Sequence, residues 1–180
     1  MGNYRVGIIG TGLKGVEYAA AYRFHPQTEV IAMADTDPET LKLVCDRFSV
    51  PGYSDYREML DAVKPDFVSI APGWVTERVP MVTAAVVGAH IYCEKPATGS
   101  VKEMDAIVDA CGRGGVKMAV AHQWRAMKPA QRVIEEIREG RYGDLPRMRA
   151  RPKDDSRGGG EELLLHGTHL FDLMIALGGS

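Results

Sequence analysis

Gly10, Gly12 and Gly15 stand at GxGxxG spacing in the stretch GTGLKG, and Asp35 lies 20 residues beyond the last of them. Glycines so spaced suit a pyrophosphate cradle: the first allows a tight turn, the second lets backbone approach the phosphates, and the third lets a helix pack closely on a strand. A helix opening there aims unpaired N–H groups at the anion, and a carboxylate about 20 residues on can take ribose hydroxyls. A second pair, Glu94 and Lys95, sits in CEKPAT (93–98), pinned by Pro96. A third candidate is EELLLHGTHLFDLM (161–174), where His166 and His169 interrupt an apolar run. Burying imidazoles costs free energy unless they find partners, so these two are core residues with partners, metal ligands, or part of an active site. Two histidines three residues apart, with no supporting carboxylate pair, are too few ligands for zinc, and no metal is expected.

The elements that must position these groups alternate along the chain. YRVGII (4–9), TEVIAMA (28–34), DFVSIAP (66–72), HIYC (90–93) and KMAVA (117–121) read as buried strands. Between them, 13–24 and a short stretch around 55–63 read as helices. A third helix starts at Asp37-Pro38, with Leu41, Val44, Cys45 and Phe48 on one face. Thr76 caps a helix carrying Val79, Val82, Val86 and Val87. Ser100-Val-Lys-Glu103 is a capping box opening a helix with Met104, Ile107, Val108 and Cys111 inward. A helix over 129–139 carries Ala130, Val133, Ile134 and Ile137 and stops at Gly140. The alternation predicts an α/β fold, a Rossmann-like doubly wound parallel sheet with helices on both faces. The pattern changes after Gly143. PRMRARPK (146–153) alternates Arg147, Arg149, Arg151 and Lys153 with other residues, as one solvated strand face would. SRGGG (156–160) reads as a loop, and an apolar helix then ends at Gly178-Gly179. The expected organisation is a dinucleotide domain over 1–122, then a linker helix and the incomplete start of an α+β domain over 123–180.

In that context the loop Gly10, Thr11, Gly12, Leu13, Lys14, Gly15 is a cofactor site. Asp35 would repel a 2′-phosphate and Thr36 follows it rather than arginine, which favours NAD and leaves NADP possible. Lys14 serves a phosphate or is a solvated lysine at a helix start. His122, Trp124, Arg125 and Lys128 follow the strand 117–121 at the carboxyl edge of the sheet. Arg125 and Lys128 would hold a substrate or close the crevice, and His122 reads equally well as structural. Asp172, three residues after His169, could orient that imidazole, although a helix-packing bond is the simpler reading.

The chain has 180 residues, 45% hydrophobic and 26% charged, with net charge −2. That is a globular composition with no general attraction to nucleic acid or anionic membranes. Cys45, Cys93 and Cys111 have no CxxC spacing and read as free thiols in a reducing cytoplasm. No signal peptide or spanning segment is evident, so the expected location is cytoplasmic, with no membrane partner.

Taken together, GTGLKG, Asp35, DFVSIAP, HIYCEKP, Gln-Trp-Arg-x-x-x-Pro (123–129), Gly140-x-x-Gly143 and the stretch from the glycines at 158–160 to Gly167, His169 and Asp172 resemble the Gfo/Idh/MocA family. These are glucose–fructose oxidoreductase, inositol dehydrogenase and their relatives. The resemblance implies hydride transfer between a nicotinamide cofactor and a sugar-like or cyclitol-like small molecule, and a homo-oligomer for a full-length chain. It implies that Lys95 sits by the substrate oxygen, stabilising an alkoxide or joining a proton relay. Glu94 would lie by the nicotinamide end, the Lys95–Pro96 bond would be cis, and His169 would be the acid–base. Trp124, Arg125 and His166 would help form the substrate pocket.

Two departures qualify this. Where the family carries Thr-Pro-Asn-x-x-His, this chain has Ala71-Pro72-Gly73-Trp74-Val75-Thr76, so the asparagine and histidine are replaced by Gly73 and Thr76. Ala71 and Pro72 would still line the cofactor, and Trp74 either flanks the nicotinamide or is simply packed or exposed. Where many members place an aspartate one turn before the histidine, this chain has Leu165. His166 either takes over that polar role or caps a neighbouring backbone group. Family members also continue into an open antiparallel sheet, so the substrate domain is expected to be incomplete here. Alternatives are an NAD-dependent glycoside hydrolase of the same family, or a protein that binds NAD(H) without turnover.

Overall fold

Short apolar runs alternate with amphipathic helices from the first strand onward, and the pattern builds one parallel sheet. The computed structural model describes residues 4–71, 78–151 and 167–179. It falls into two compact units, Met1–Val120 and Ala121–Ser180.

In the first unit the order is β1 (Tyr4–Ile9), α1 (Leu13–Phe24), β2 (Thr28–Ala34), α2 (Pro38–Phe48), β3 (Gly52–Tyr53), α3 (Tyr56–Val63), β4 (Phe67–Ile70), α4 (Arg78–Val86), β5 (His90–Cys93), α5 (Val101–Gly114) and β6 (Met118–Val120). The strands lie in the order β3-β2-β1-β4-β5-β6, and each neighbouring pair is parallel. The chain therefore begins at mid-sheet, runs to one edge, returns, and continues to the other. β1 and β4 lie side by side at the reversal, where a crevice opens beyond the strands' carboxyl ends. The two-residue β3 has no periodicity to read and was not anticipated; it is held on β2 by its register with Met33 and Ala34.

Two apolar layers cover the sheet. Ile8, Met33, Leu41 and Val44 form one; Val68, Ile70, Ile91, Met81 and Ile107 belong to the other. Local signals start the helices as read: Asp37 accepts from Glu39 N at 3.2 Å with Pro38 following it, and Ser100 Oγ accepts from Glu103 N at 3.3 Å. Inward facing was only partly as expected. In α5 Ile107, Ala110 and Cys111 are buried, but Val108 is 57% exposed, one residue round the helix from the buried stripe. In α4 Met81, Ala84 and Ala85 face inward while Val79, Val86 and Val87 are exposed. Small residues win there because α5 passes close by: a Cβ on Gly114 would lie 2.3 Å from the Ala85 carbonyl oxygen.

The second unit contains α6 (Gln123–Ala126), α7 (Lys128–Arg138) and α8 (Gly167–Gly178). Gly140 and Gly143 both have positive φ, 73° and 72°, and close the turn after α7. The expected strand over 146–153 is not formed across 146–151. A strand needs a neighbour to take its backbone N–H and C=O groups, and none of the described residues pairs with it. Thr76, Lys153 and the loop 156–160 lie outside the described residues, as do the first residues of the apolar helix. Cys45, Cys93 and Cys111 are buried. Among the described residues no helix is long and apolar enough to cross a membrane, and no group of three or more His, Cys, Asp or Glu could hold a metal ion.

Candidate active site

The phosphate loop joins β1 to α1, and its three glycines are constrained differently. Gly10 has φ 91°, a conformation that favours glycine. A Cβ on Gly15 would lie 1.9 Å from the Gly10 carbonyl oxygen, so helix and loop touch backbone to backbone. Gly12 is exposed at the N-cap of α1, and a Cβ there would meet no atom of the described residues within 4 Å. Packing among the described residues accounts for the first and third glycines and not for the second. Leu13 beside it is 76% exposed.

Asp35, just past β2, is held in place by the loop itself. Thr11 donates to its Oδ2 twice, from N at 2.6 Å and from Oγ1 at 2.8 Å. Asp37 N donates to Oδ1 at 3.0 Å. Thr11 is 1% exposed, and both its N–H and its hydroxyl donate to Asp35 and orient it. A carboxylate has about four lone-pair directions, so these three donors leave one, on Oδ1, for a ribose hydroxyl. Asp35 and Thr36 line a cleft of about 810 Å³ with Ile9, Gly10, Gly12, Ala34 and Ala71. Tyr56 and Arg57 of α3 line it too, the guanidinium 4.7 Å from the ring centre. Sequence reasoning missed both; only their position just after the Asp55 cap pointed to them. Replacing Asp35 by Asn keeps the shape and removes the charge that disfavours a 2′-phosphate. Asp35→Asn is expected to raise NADP affinity relative to NAD by about tenfold, checked by titrating both dinucleotides.

Lys14, left open between phosphate ligand and helix-start lysine, pairs with Glu17 at 2.6 Å. Glu17's hydrogen bond, with smaller help from the charge of Glu94, holds it protonated. At the end of β5, Glu94 is 9% exposed. It accepts a short hydrogen bond from Tyr18 of α1 and a bond from Lys95 N at 3.2 Å. Lys95 is half-buried, and the Lys95–Pro96 peptide is cis. Pro72, Gly73 and Trp74, expected beside these groups, lie outside the described residues.

The second unit gathers a separate cluster. His169 on α8 is buried. Its ring stacks on Trp124 of α6 at 4.8 Å and 15°, and His122 meets it edge-on at 5.9 Å. Asp172, one turn further along α8, takes Arg125 through Nε at 2.9 Å and Nη2 at 2.7 Å. His122 Nδ1 lies 3.4 Å from the same carboxylate. Arg125 also donates to the Asp172 carbonyl at 3.0 Å. Asp172 therefore joins α8 to α6, the packing reading, and Arg125 is committed to that joint instead of being left wholly to a substrate. The effect is to fix the Trp124 ring against His169. Lys128 starts α7 and is exposed. His166 and Leu165 lie outside the described residues. Lys95 belongs to the first unit, and His169, Trp124 and Arg125 to the second.

Known proteins resemble this chain over much of its length. The model of the Gfo/Idh/MocA family, described as an oxidoreductase family with an NAD-binding Rossmann fold, matches residues 4–122. D-apiose dehydrogenase from Paraburkholderia graminis is 30% identical over 141 residues, covering 78% of this chain and 38% of that protein. Levoglucosan dehydrogenase from Pseudarthrobacter phenanthrenivorans is 31% identical, covering 78% and 39%. Scyllo-inositol dehydrogenase from Lactobacillus casei, solved with NAD(H) and scyllo-inositol, superposes with a TM-score of 0.90 at 17% identity, over 97% of this chain and 56% of that one. The chain thus spans about two fifths of the length of these two curated relatives.

Proposed function

The chain belongs to the Gfo/Idh/MocA family of oxidoreductases, with that family's NAD-binding Rossmann fold, and on this premise we propose that it moves a hydride between NAD(H) and a sugar-like or cyclitol-like alcohol or its ketone. The observation that carries the reading is the loop around Gly12: a glycine that packing among the described residues does not require, beside an Asp35 tied to the loop by two hydrogen bonds from Thr11. NAD is favoured over NADP by the Asp35 charge.

The bound dinucleotide supplies the hydride acceptor or donor. Gly10, Gly12, Gly15 and the first N–H groups of α1 hold its phosphates, while Asp35, Thr36 and Ala71 take the adenosine side. His169 of the second unit is assigned the acid–base role, taking a hydroxyl proton in oxidation, and Lys95 of the first unit the stabilisation of negative charge on an alkoxide. Trp124 holds the His169 ring flat in one orientation, and Arg125 holds Trp124's helix through Asp172. The relatives named for D-apiose and levoglucosan, and the neighbour solved with scyllo-inositol, support a polyhydroxylated substrate.

The test is which dinucleotide leaves the purified protein on denaturation, and whether its oxidation state changes when sugars and cyclitols are added first. NAD(H) whose redox state shifts with one of these polyols is the expected result. A protein that retains no dinucleotide and binds none on titration would contradict the reading.

A further inference from the structure

Lys14, Tyr18 and Tyr22 recur every four residues along α1 and so form one stripe of the helix. The sheet presents a matching row. On β5, Ile91 and Cys93 join one apolar layer, so Tyr92, and Glu94 just past the strand, point to the opposite face. Ser69 of β4 is the register partner of Tyr92. The two rows meet: Tyr22 Oη lies 3.2 Å from Ser69 Oγ, the Tyr18 ring stands edge-on to Tyr92 at 5.3 Å and 76°, and Tyr18 Oη donates to Glu94 Oε1. Burial first, and then the bond to Glu94, push the Tyr18 phenol well above the ordinary tyrosine range. It therefore stays protonated and able to donate at any working pH.

A dinucleotide bound to such a sheet straddles the switch point, one half on each side of it. Asp35 marks the adenosine half on the β1–β2 side. Glu94, at the carboxyl end of β5, lies on the other side, which takes the nicotinamide half. α1 begins at the phosphate loop between them. We propose that Tyr18 is a positioning residue: its hydroxyl fixes the buried Glu94 carboxylate, and with it the start of the Glu94-Lys95-Pro96 segment, against the same helix that receives the pyrophosphate. The nicotinamide end of the site is thereby set by the helix that anchors the phosphates. The inference rests on the cofactor reading above and adds to it a residue that belongs to neither the glycine loop nor the EKP segment.

Calorimetric titration of the chain with NAD+ and with ADP-ribose, which lacks the nicotinamide, tests it. Tyr18→Phe preserves the ring and its contact with Tyr92 and removes only the donor. The expected result is NAD+ affinity about tenfold weaker with ADP-ribose affinity unchanged. In a Glu94→Ala background, Tyr18→Phe should have no further effect, because the group it positions is gone. Equal weakening of both ligands would show a structural role only, and unchanged NAD+ affinity, or an effect that persists without Glu94, would overturn the coupling. If the unaltered chain binds neither ligand, the cofactor reading itself fails and takes this proposal with it.

Discussion

Gly15→Ala is expected to destabilise the chain by about 3 kcal/mol and to abolish dinucleotide binding. The added Cβ would lie 1.9 Å from the Gly10 carbonyl oxygen and 2.9 Å from its carbon, both backbone atoms of the phosphate loop. No side chain can rotate away to make room. Relief requires α1 to lift from β1 or the loop to flatten, and Gly10, at φ 91°, is already in a conformation that favours glycine. Either movement also displaces Thr11, whose two bonds orient Asp35. Gly12→Ala is the informative companion. Its Cβ meets no atom of the described residues within 4 Å, so its urea midpoint should shift far less than that of Gly15→Ala while NAD+ binding falls. Urea unfolding and NAD+ titration of the two variants separate the glycine that packing demands from the one that the ligand demands. Equal binding by Gly12→Ala and the parent would remove the main support for the cofactor site.

Loss of either proposed catalytic group is the second large effect. His169→Ala is expected to lower kcat by about 10²- to 10⁴-fold, the usual range for a positioned acid–base. Lys95→Ala should cost a comparable factor by leaving the developing alkoxide without a cation. Because His169 stacks on Trp124, truncation also opens a gap against that ring; His169→Gln fills more of it and should be equally slow if proton transfer is what was lost. The pH profile adds a sign. Oxidation needs the neutral imidazole, so the rate should fall as pH drops, and that acid limb should vanish in His169→Gln. An unchanged kcat in both His169 variants would show that the base lies elsewhere.

Local rules explain why much of this was readable. GxGxxG between a strand and a helix, Asp37-Pro38 and Ser100-x-x-Glu103 each act within a few residues, and each is found in the structure as read. Features that depend on distant partners were not readable. Tyr18 looks like any aromatic inside a helix until Glu94, 76 residues on, arrives beneath it. Thr11 read as a cofactor contact because of its place in the loop, whereas Asp35 takes both its donors. Arg125 read as a substrate ligand because it follows a strand end, and its partner Asp172 is 47 residues away. β3 is too short to carry a pattern. The 146–151 stretch shows the reverse error, an alternation that no strand among the described residues pairs with.

Deuterium tracing tests the central claim most directly. Sugars and cyclitols bearing deuterium at the carbinol carbons are incubated with the protein and NAD+, and the nicotinamide is recovered and analysed by mass spectrometry. Reduced nicotinamide carrying one deuterium from at least one of these substrates is the expected result, with the transfer lost in Lys95→Ala. NAD+ that binds to the protein yet acquires no deuterium from any of them would contradict it and would leave a protein that holds the dinucleotide without transferring hydride.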